Sequence, residues 1–173
     1  MNAAINTQSA AYRVHFINIF EQTFFIVDYY KGAYYISTSK EKLDIGYIHR
    51  FLSGSYWAEN IPLEIVKKSI EHSICFGVYE GNRQLGFARV VTDYATFGYL
   101  ADVFIDEDYR GRGLSKWLME IIMGHPQLQG FRTWQLATRD AHGLYARFGF
   151  AIPDKPERIM RISVPDIYIK IIN

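Results

Sequence analysis

The sequence predicts an α/β sandwich, and three observations support this prediction. A chain of 173 residues suits one domain and buries roughly 70% of its unfolded surface. Apolar residues make up 49% of the chain and aromatic residues 16%, which is enough for a substantial core. Strand patterns and helix patterns follow one another along most of the sequence, and a glycine-rich junction joins one strand to a helix.

The charge balance argues against a protein that binds nucleic acid or a membrane surface. The 19 basic residues oppose 18 acidic residues, which leaves a formal charge of +1. Such partners require concentrated positive charge.

The single cysteine, Cys75, excludes internal disulfides and lies in an apolar run, where a buried and inert thiol is expected. We expect a cytoplasmic protein on these grounds, and we expect no metal cofactor.

Residues 1–33 form an N-terminal extension that precedes the main domain, which we assign to residues 34–173. Two apolar runs, residues 16–20 and 24–27, are too short and too often interrupted by polar residues to span a membrane. The first eleven residues lack the basic start of a signal peptide. We predict a docking helix or a poorly ordered segment here. A homodimer contact is the alternative, since an apolar segment must be covered.

Two amphipathic helices follow a predicted first strand at residues 34–37. Asp44 can cap the first helix, residues 45–52, and Gly54 lies just beyond its end. The second helix spans about residues 61–72, where apolar residues recur with helical spacing.

The remaining predicted strands complete the sheet. Residues 75–79 and 85–91 form a hairpin that turns at Glu80-Gly81-Asn82, and residues 97–105 form a third antiparallel strand. The later strands are predicted around Trp134, at residues 158–164 and at residues 167–172.

The junction after residue 105 predicts a phosphate-binding site. It contains Arg110-Gly111-Arg112-Gly113-Leu114-Ser115, and apolar residues then recur with helical spacing from Leu114 onward. Glycines allow close backbone approach, and a helix N-terminus offers unpaired N–H groups and a positive dipole end. Arg110 and Arg112 would add full charges. The spacing fits neither a nucleotide P-loop nor a dinucleotide fingerprint. An ordinary turn with two solvated arginines is the alternative.

Two motifs resemble the GCN5-related N-acetyltransferase (GNAT) superfamily. The hexamer that ends at Ser115 fits the R-x-x-G-x-[G/A] pattern of its acyl-CoA pyrophosphate loop, with serine at the last position. Downstream, Leu144-Tyr145 and Gly149-Phe150 match L-Y-x-x-x-G-F, while Thr138 stands where members often carry Asn. The resemblance begins near Tyr34. It implies a GNAT-like sandwich, with a mixed and mostly antiparallel sheet of about six or seven strands flanked by about four helices.

The resemblance also implies an activity. The protein would transfer an acetyl group from acetyl-CoA, its cosubstrate, directly to an amine of a small molecule or peptide. The pantetheine arm would pair like an extra strand with the backbone of Val103, Phe104 and Ile105, and Thr138 could offer it a hydroxyl. Tyr145 would hydrogen-bond or protonate the departing thiolate. A non-catalytic acyl-CoA sensor of the same fold is the alternative, and an unrelated anion-binding domain is a third possibility.

The general base has two candidates. Asp102 lies in an otherwise apolar strand, so its carboxylate is either the base or a structural acid bonded to the backbone or to Arg89. His142 is the second candidate, because its pKa range suits proton transfer. In a GNAT fold Tyr56 and Trp57 would face the acceptor, whose identity the sequence does not give.

Overall fold

The computed structural model describes residues 11–19, 22–164 and 167–168. Seven strands in these ranges form one sheet whose spatial order follows the chain. They are β1 (Ala11–Ile19), β2 (Gln22–Lys31), β3 (Tyr34–Ser37), β4 (Ile74–Glu80), β5 (Arg83–Thr92), β6 (Phe97–Ile105) and β7 (Thr133–Gln135). The described α-helices are α1 (Ile45–Ser53), α2 (Leu63–Glu71), α3 (Leu114–Gly124) and α4 (His142–Tyr145). The predicted fold class is confirmed.

Helices cover both faces of the sheet, so there are two apolar cores. In one core α3 packs on the sheet, and Leu118 and Ile122 are fully buried. In the other core α1 and α2 pack on the sheet through side chains such as Ile48 and Val66. Neighbouring strand residues alternate between the two cores, as the period of a strand requires.

β6 carries a bulge near its centre. Phe87 pairs with Phe104, but Arg89 pairs with Ala101, so β6 has one residue more than β5 between these pairs. Asp102 lies in this interval with φ of +54°, in the left-handed region. A bulge of this kind bends a strand and redirects its side chains.

β6 and β7 separate soon after they meet. They are the parallel pair of the sheet, and only residues 97–99 of β6 pair with residues 133–135 of β7. From residue 100 to residue 105, the β6 edge that points away from β5 has no strand partner in the described part of the chain. The sheet therefore opens beside the end of β6.

The N-terminal prediction is wrong for residues 11–19 and 22–31, which form strands instead of a helix or a poorly ordered segment. β1 and β2 make a long antiparallel hairpin, and residues 28–31 of β2 pair with β3. The runs contain aromatic and β-branched residues, which favour strands once each run has the other as a partner. The sheet therefore continues across the boundary predicted after residue 33. Residues 1–10 lie outside the described ranges.

The prediction of a strand at residues 158–164 is also wrong. Pro156–Arg158 form a 3-10 turn, and the residues that follow are exposed and have no strand pairing in the described structure. Strand-forming residues need a ladder partner, and β7 has only three paired residues with which to continue the sheet. The strand predicted at residues 167–172 falls mostly outside the described residues.

Between residues 34 and 135 the predicted elements are confirmed to within about two residues. Among the helices that are described, none is long and apolar enough to cross a membrane.

We predict that Gly86→Ala destabilises the protein. A Cβ at Gly86 would lie 2.7 Å from the Phe104 carbonyl oxygen of the neighbouring strand, and a backbone atom cannot move aside cheaply. The free energy of unfolding, measured by urea denaturation, should fall by about 1–3 kcal/mol.

Gly124→Ala is the matched control, because nothing lies within 4 Å of a Cβ at this end of α3. This variant should be neutral or slightly more stable, since alanine favours helices. Equal stability of the two variants would contradict the close approach of β5 and β6.

Candidate functional site

The loop between β6 and α3 exposes backbone N–H groups. The first hydrogen bond of α3 runs from the Trp117 N–H to the Gly113 carbonyl at 3.0 Å, so the preceding amides of the helix have no acceptor inside it. Gly111 and Gly113 have φ of +78° and +76°. No atom of the described chain lies within 4 Å of a Cβ built at either glycine. The loop therefore presents bare backbone to an open space.

These amides border an open cleft of about 330 Å³ between the start of α3 and α4. Arg110, Lys116 and Arg147 line the cleft, and no carboxylate is among its described lining residues. Three cations and a helix N-terminus suit a ligand that carries several negative charges. Lys116 and Arg147 were not predicted from the sequence. The available signal was their position, one residue after the glycine motif and two residues after Tyr145.

Arg112 is not among the described residues that line this cleft. Its guanidinium donates to the Tyr34 hydroxyl at 3.1 Å and to the Asp108 carbonyl at 3.2 Å, and it lies 4.5 Å from the centre of the Tyr109 ring. These contacts fasten the loop to β3, and the contribution of Arg112 to phosphate binding stays a prediction. Arg110, by contrast, lines the cleft and pairs with Glu107 at 3.2 Å.

The predicted cofactor residues of β6 offer their backbone more than their side chains. Phe104 is 5% exposed and stacks on Phe51, with 3.7 Å between ring centroids. Ile105 is 4% exposed and belongs to the core on the α3 face, against which Val103 also packs. What remains available is the unpaired edge from residue 100 to residue 105. A ligand with amide groups can pair there as an added strand.

Tyr145 presents a protonated hydroxyl. Its ring packs in the α3-face core, edge-on to Phe150 with 6.1 Å between centroids. Burial raises the pKa of Tyr145 to about 12, and the nearby Tyr56 and Asp140 act in the same direction. Across the described residues we find no hydrogen-bond partner for this hydroxyl. The hydroxyl can therefore donate a hydrogen bond to a ligand at neutral pH.

Thr138 stabilises the turn that precedes α4. Its hydroxyl oxygen accepts hydrogen bonds from the Ala141 N–H at 3.1 Å and from the Asp140 N–H at 3.4 Å. The hydroxyl proton is still available for donation, as the sequence-based prediction requires. Thr138 thus fixes the turn that leads to Tyr145.

Asp102 forms a half-buried ion pair. Its Oδ2 accepts from the Arg89 Nε at 2.5 Å, and the Arg89 Nη1 donates to the Ser73 hydroxyl at 3.3 Å. The Asp102 side chain is 9% exposed and that of Arg89 is 19% exposed. This geometry favours the structural role stated for Asp102, and its catalytic role stays a prediction.

A second cavity, of about 640 Å³, adjoins the first at Arg110, which lines both. Its walls come from α1 and from the segments that follow α1, β6 and β7. The aromatic lining residues are Tyr47, Phe51, Tyr56 and Trp57, and the carboxylates are Asp106, Glu107 and Asp140. Tyr56 and Trp57 line this cavity, whereas His142 at the start of α4 is absent from the described lining of both cavities. That Tyr56 and Trp57 face the acceptor stays a prediction.

Tyr56 connects the two sides of this second cavity. Its hydroxyl accepts from the Arg139 N–H at 3.1 Å, and the Arg139 guanidinium lies 3.8 Å from the centre of its ring. Trp57 packs edge-on against Tyr56, with 4.9 Å between centroids. The segments after α1 and after β7 are joined by this contact.

Comparison with known proteins agrees with this geometry. The family model described as the acetyltransferase (GNAT) domain matches residues 71–152. A candidate acetyltransferase from Gibberella zeae is 31% identical over 140 residues, which cover 68% of this chain and 78% of that protein. The structure of a candidate GNAT-family acetyltransferase from Xanthomonas campestris pv. campestris is 54% identical with a TM-score of 0.76, and covers 78% of this chain and 96% of its own.

The chain belongs to the GNAT acetyltransferase family. It is therefore an acyltransferase. A candidate acetyltransferase from Clostridium acetobutylicum, solved with acetyl-CoA, shares the GNAT fold at 13% identity with a TM-score of 0.56, over 75% of this chain and 94% of its own. In this chain a side chain at Gly111 or Gly113 would fill the open space over the loop, and its absence leaves the backbone amides accessible to an anionic group.

We predict that Gly113→Ala weakens acetyl-CoA binding more than it weakens folding. The left-handed backbone should cost about 1–2 kcal/mol of stability with any side chain. The added methyl group meets no protein atom, so any loss of acetyl-CoA affinity beyond this cost must come from contact with the ligand. We expect the Kd for acetyl-CoA to rise about tenfold or more, since a steric clash costs about 1–3 kcal/mol.

Gly81→Ala is the matched control. Gly81 has φ of +56°, has nothing within 4 Å of its Cβ position and lies in the β4–β5 turn outside the cleft. Titration calorimetry and urea denaturation on both variants separate the two effects. An unchanged Kd in folded Gly113→Ala would place the diphosphate elsewhere.

Proposed function

We propose that this GNAT acetyltransferase transfers the acetyl group of acetyl-CoA directly to an amine of a small molecule or peptide. The observation that carries the proposal is the unpaired β6 edge, residues 100–105. This edge ends where the loop of residues 106–113, the phosphate loop, begins. The pantetheine arm carries amide groups that suit a strand edge, and the diphosphate suits the amides of Gly113 and Ser115. A thioester held this way lies along β6.

The chemistry needs no nucleophile from the enzyme. The nitrogen of the neutral amine forms a bond to the thioester carbon, and the carbonyl oxygen takes up negative charge. The C–S bond then breaks, its electron pair leaves with the sulfur as the coenzyme A thiolate, and the nitrogen releases one proton to solvent. A backbone N–H of the open β6 edge is suited to stabilise that oxygen. Cys75 is not required, and burial raises the pKa of its thiol to about 12.

Tyr145 is proposed to stabilise the leaving group by hydrogen bonding. The departing coenzyme A thiolate has the proton affinity of a thiol, with a pKa of about 8.5. A phenol whose pKa is raised to about 12 holds its proton more tightly than that thiol does. Tyr145 therefore donates a hydrogen bond to the sulfur, and full proton transfer from it is unfavourable.

The second cavity supports an amine acceptor. The faces of aromatic rings attract ammonium groups, and the Arg139 guanidinium already lies over the Tyr56 ring in this way. Asp106, Glu107 and Asp140 place carboxylates around the same cavity. An amine on an apolar body fits these walls.

The proposal is tested by turnover. Purified protein is incubated with acetyl-CoA and a panel of arylalkylamines, polyamines, amino acids and peptides, while free thiol and acetylated product are measured together. We expect thiol release that depends on one class of amine and equals the acetylated product. Tight binding of acetyl-CoA without release in any mixture would instead support the non-catalytic sensor.

We predict that Tyr145→Phe lowers kcat by about 10- to 1000-fold and leaves the Kd for acetyl-CoA nearly unchanged. The ring and its packing on Phe150 are retained, while the donor to the thiolate is lost. Steady-state kinetics with the identified amine and calorimetry with acetyl-CoA measure the two quantities. Tyr30→Phe is the control, because no described residue of β2 lines either cavity, whereas Leu144 and Arg147, near Tyr145, line the first. Full activity of Tyr145→Phe would leave Tyr145 as a core aromatic only.

We predict that Asp102→Asn lowers stability and keeps the pH profile of the parent enzyme. The change weakens the pair with Arg89 but keeps a residue that tolerates positive φ. The free energy of unfolding should fall by roughly 1–3 kcal/mol, the cost of a poorly satisfied charged partner. Asp154→Asn, at an exposed position, serves as the control.

A pH–rate series decides the role of Asp102. If this carboxylate were the general base, the stable variant would be slow at neutral pH and would recover as pH rises toward the pKa of the amine. That result would overturn the structural role.

A further inference from the structure

We infer that Lys116 and Arg147 bind the 3′-phosphate of coenzyme A and make the enzyme select it over the 3′-dephosphorylated form. The inference rests on the proposed use of acetyl-CoA. It concerns the part of the cleft that the glycine motif leaves unexplained, which is the pair of cations on α3 and after α4.

The cleft carries more positive charge than a diphosphate requires. Arg110 and the amides at the start of α3 lie within the motif and are assigned to the diphosphate. Lys116 and Arg147 are additional, and no carboxylate is among the described residues that line the cleft. Coenzyme A carries one further phosphate, on the ribose beside its diphosphate. The surplus charge therefore has a matching anion.

Few groups of the protein compete with a ligand for these two cations, which supports this assignment. Lys116 contacts Glu120 at 3.7 Å on an exposed helix surface, where such pairs contribute little. Arg147 has no ion pair or hydrogen bond with any described residue. Its guanidinium can form two parallel hydrogen bonds with a phosphate. Both side chains are thus available to a ligand.

The backbone holds Arg147 in place. Ala146–Phe148 form a 3-10 turn directly after α4, and Gly149 ends it with φ of +86°. This turn contacts α3, which also carries Lys116. The two cations therefore stand on elements that pack against each other, on two sides of one cleft.

A general electrostatic attraction would act differently from a phosphate site. Any exposed cation raises the local concentration of an anion, whether or not the 3′-phosphate is present. Direct contact affects only the ligand that carries this group. Arg132 offers the matched control, because it is exposed, lines neither cavity and has no described ion pair.

The experiment measures the Kd of coenzyme A and of 3′-dephospho-coenzyme A by titration calorimetry. The proteins are the parent, Arg147→Gln, the double variant Lys116→Gln/Arg147→Gln, and Arg132→Gln. We expect the parent to prefer coenzyme A by about 10- to 100-fold, the value of charged hydrogen bonds to one phosphate. Arg147→Gln should lose much of this preference, and the double variant should bind both ligands within about twofold. Arg132→Gln should keep the preference of the parent.

Kinetics give a second readout. The double variant should raise KM for acetyl-CoA and leave kcat unchanged, because the 3′-phosphate is far along the cofactor from the thioester. Equal affinity of the parent for both ligands would overturn the inference and leave the proposed function intact. Unchanged discrimination in the double variant would also overturn it. Failure of the folded parent to bind either ligand would contradict the proposed function as well.

Discussion

The open edge of β6 is the constraint on which the rest of the site depends. β7 leaves β6 after three paired residues, so the backbone groups from residue 100 to residue 105 face a gap inside the sheet and not a neighbouring strand. Backbone N–H and C=O groups need partners when they are buried, and an unpaired edge is a template for an added strand. The phosphate loop begins where this edge ends. One extended ligand can therefore satisfy both.

A chain of polar contacts ties the loop between β6 and α3 to α1, which lines the second cavity. Tyr109 contacts the guanidinium groups of Arg112 and Arg83 at 4.5 and 5.1 Å from its ring centre. Arg83 also donates to Asp106 at 3.3 Å, and the Tyr47 hydroxyl on α1 donates to the same carboxylate oxygen at 3.5 Å. Arg112 therefore acts within the framework that holds the loop, although its sequence position suggests a phosphate ligand.

The sequence predicted those features that local chemistry determines. β6 was predicted with its observed bounds because its apolar run is long and ends at an acidic turn. The loop that follows was predicted because glycines mark its positive φ angles and apolar residues with helical spacing follow them. The N-terminal hairpin was missed because short apolar runs fit a helix or a strand until their partner is known. Motif spacing alone could not show that Arg147 lines the cleft and that Arg112 does not. The Arg112 guanidinium is held by Tyr34, and Arg147 is placed by the packing of its turn against α3.

The charges around the two cavities differ in a way that suits the two proposed reactants. The cleft beside α3 is lined by cations, so it attracts a polyanion and repels an ammonium ion. The second cavity combines four aromatic side chains with three carboxylates and two arginines, so it accommodates a positive group better than the cleft does. Arg110 lies at their junction, and the β6 edge runs beside it. A cofactor that enters from the cationic side and an amine that enters from the aromatic side would therefore meet at the thioester, which is the one place where both need to be present.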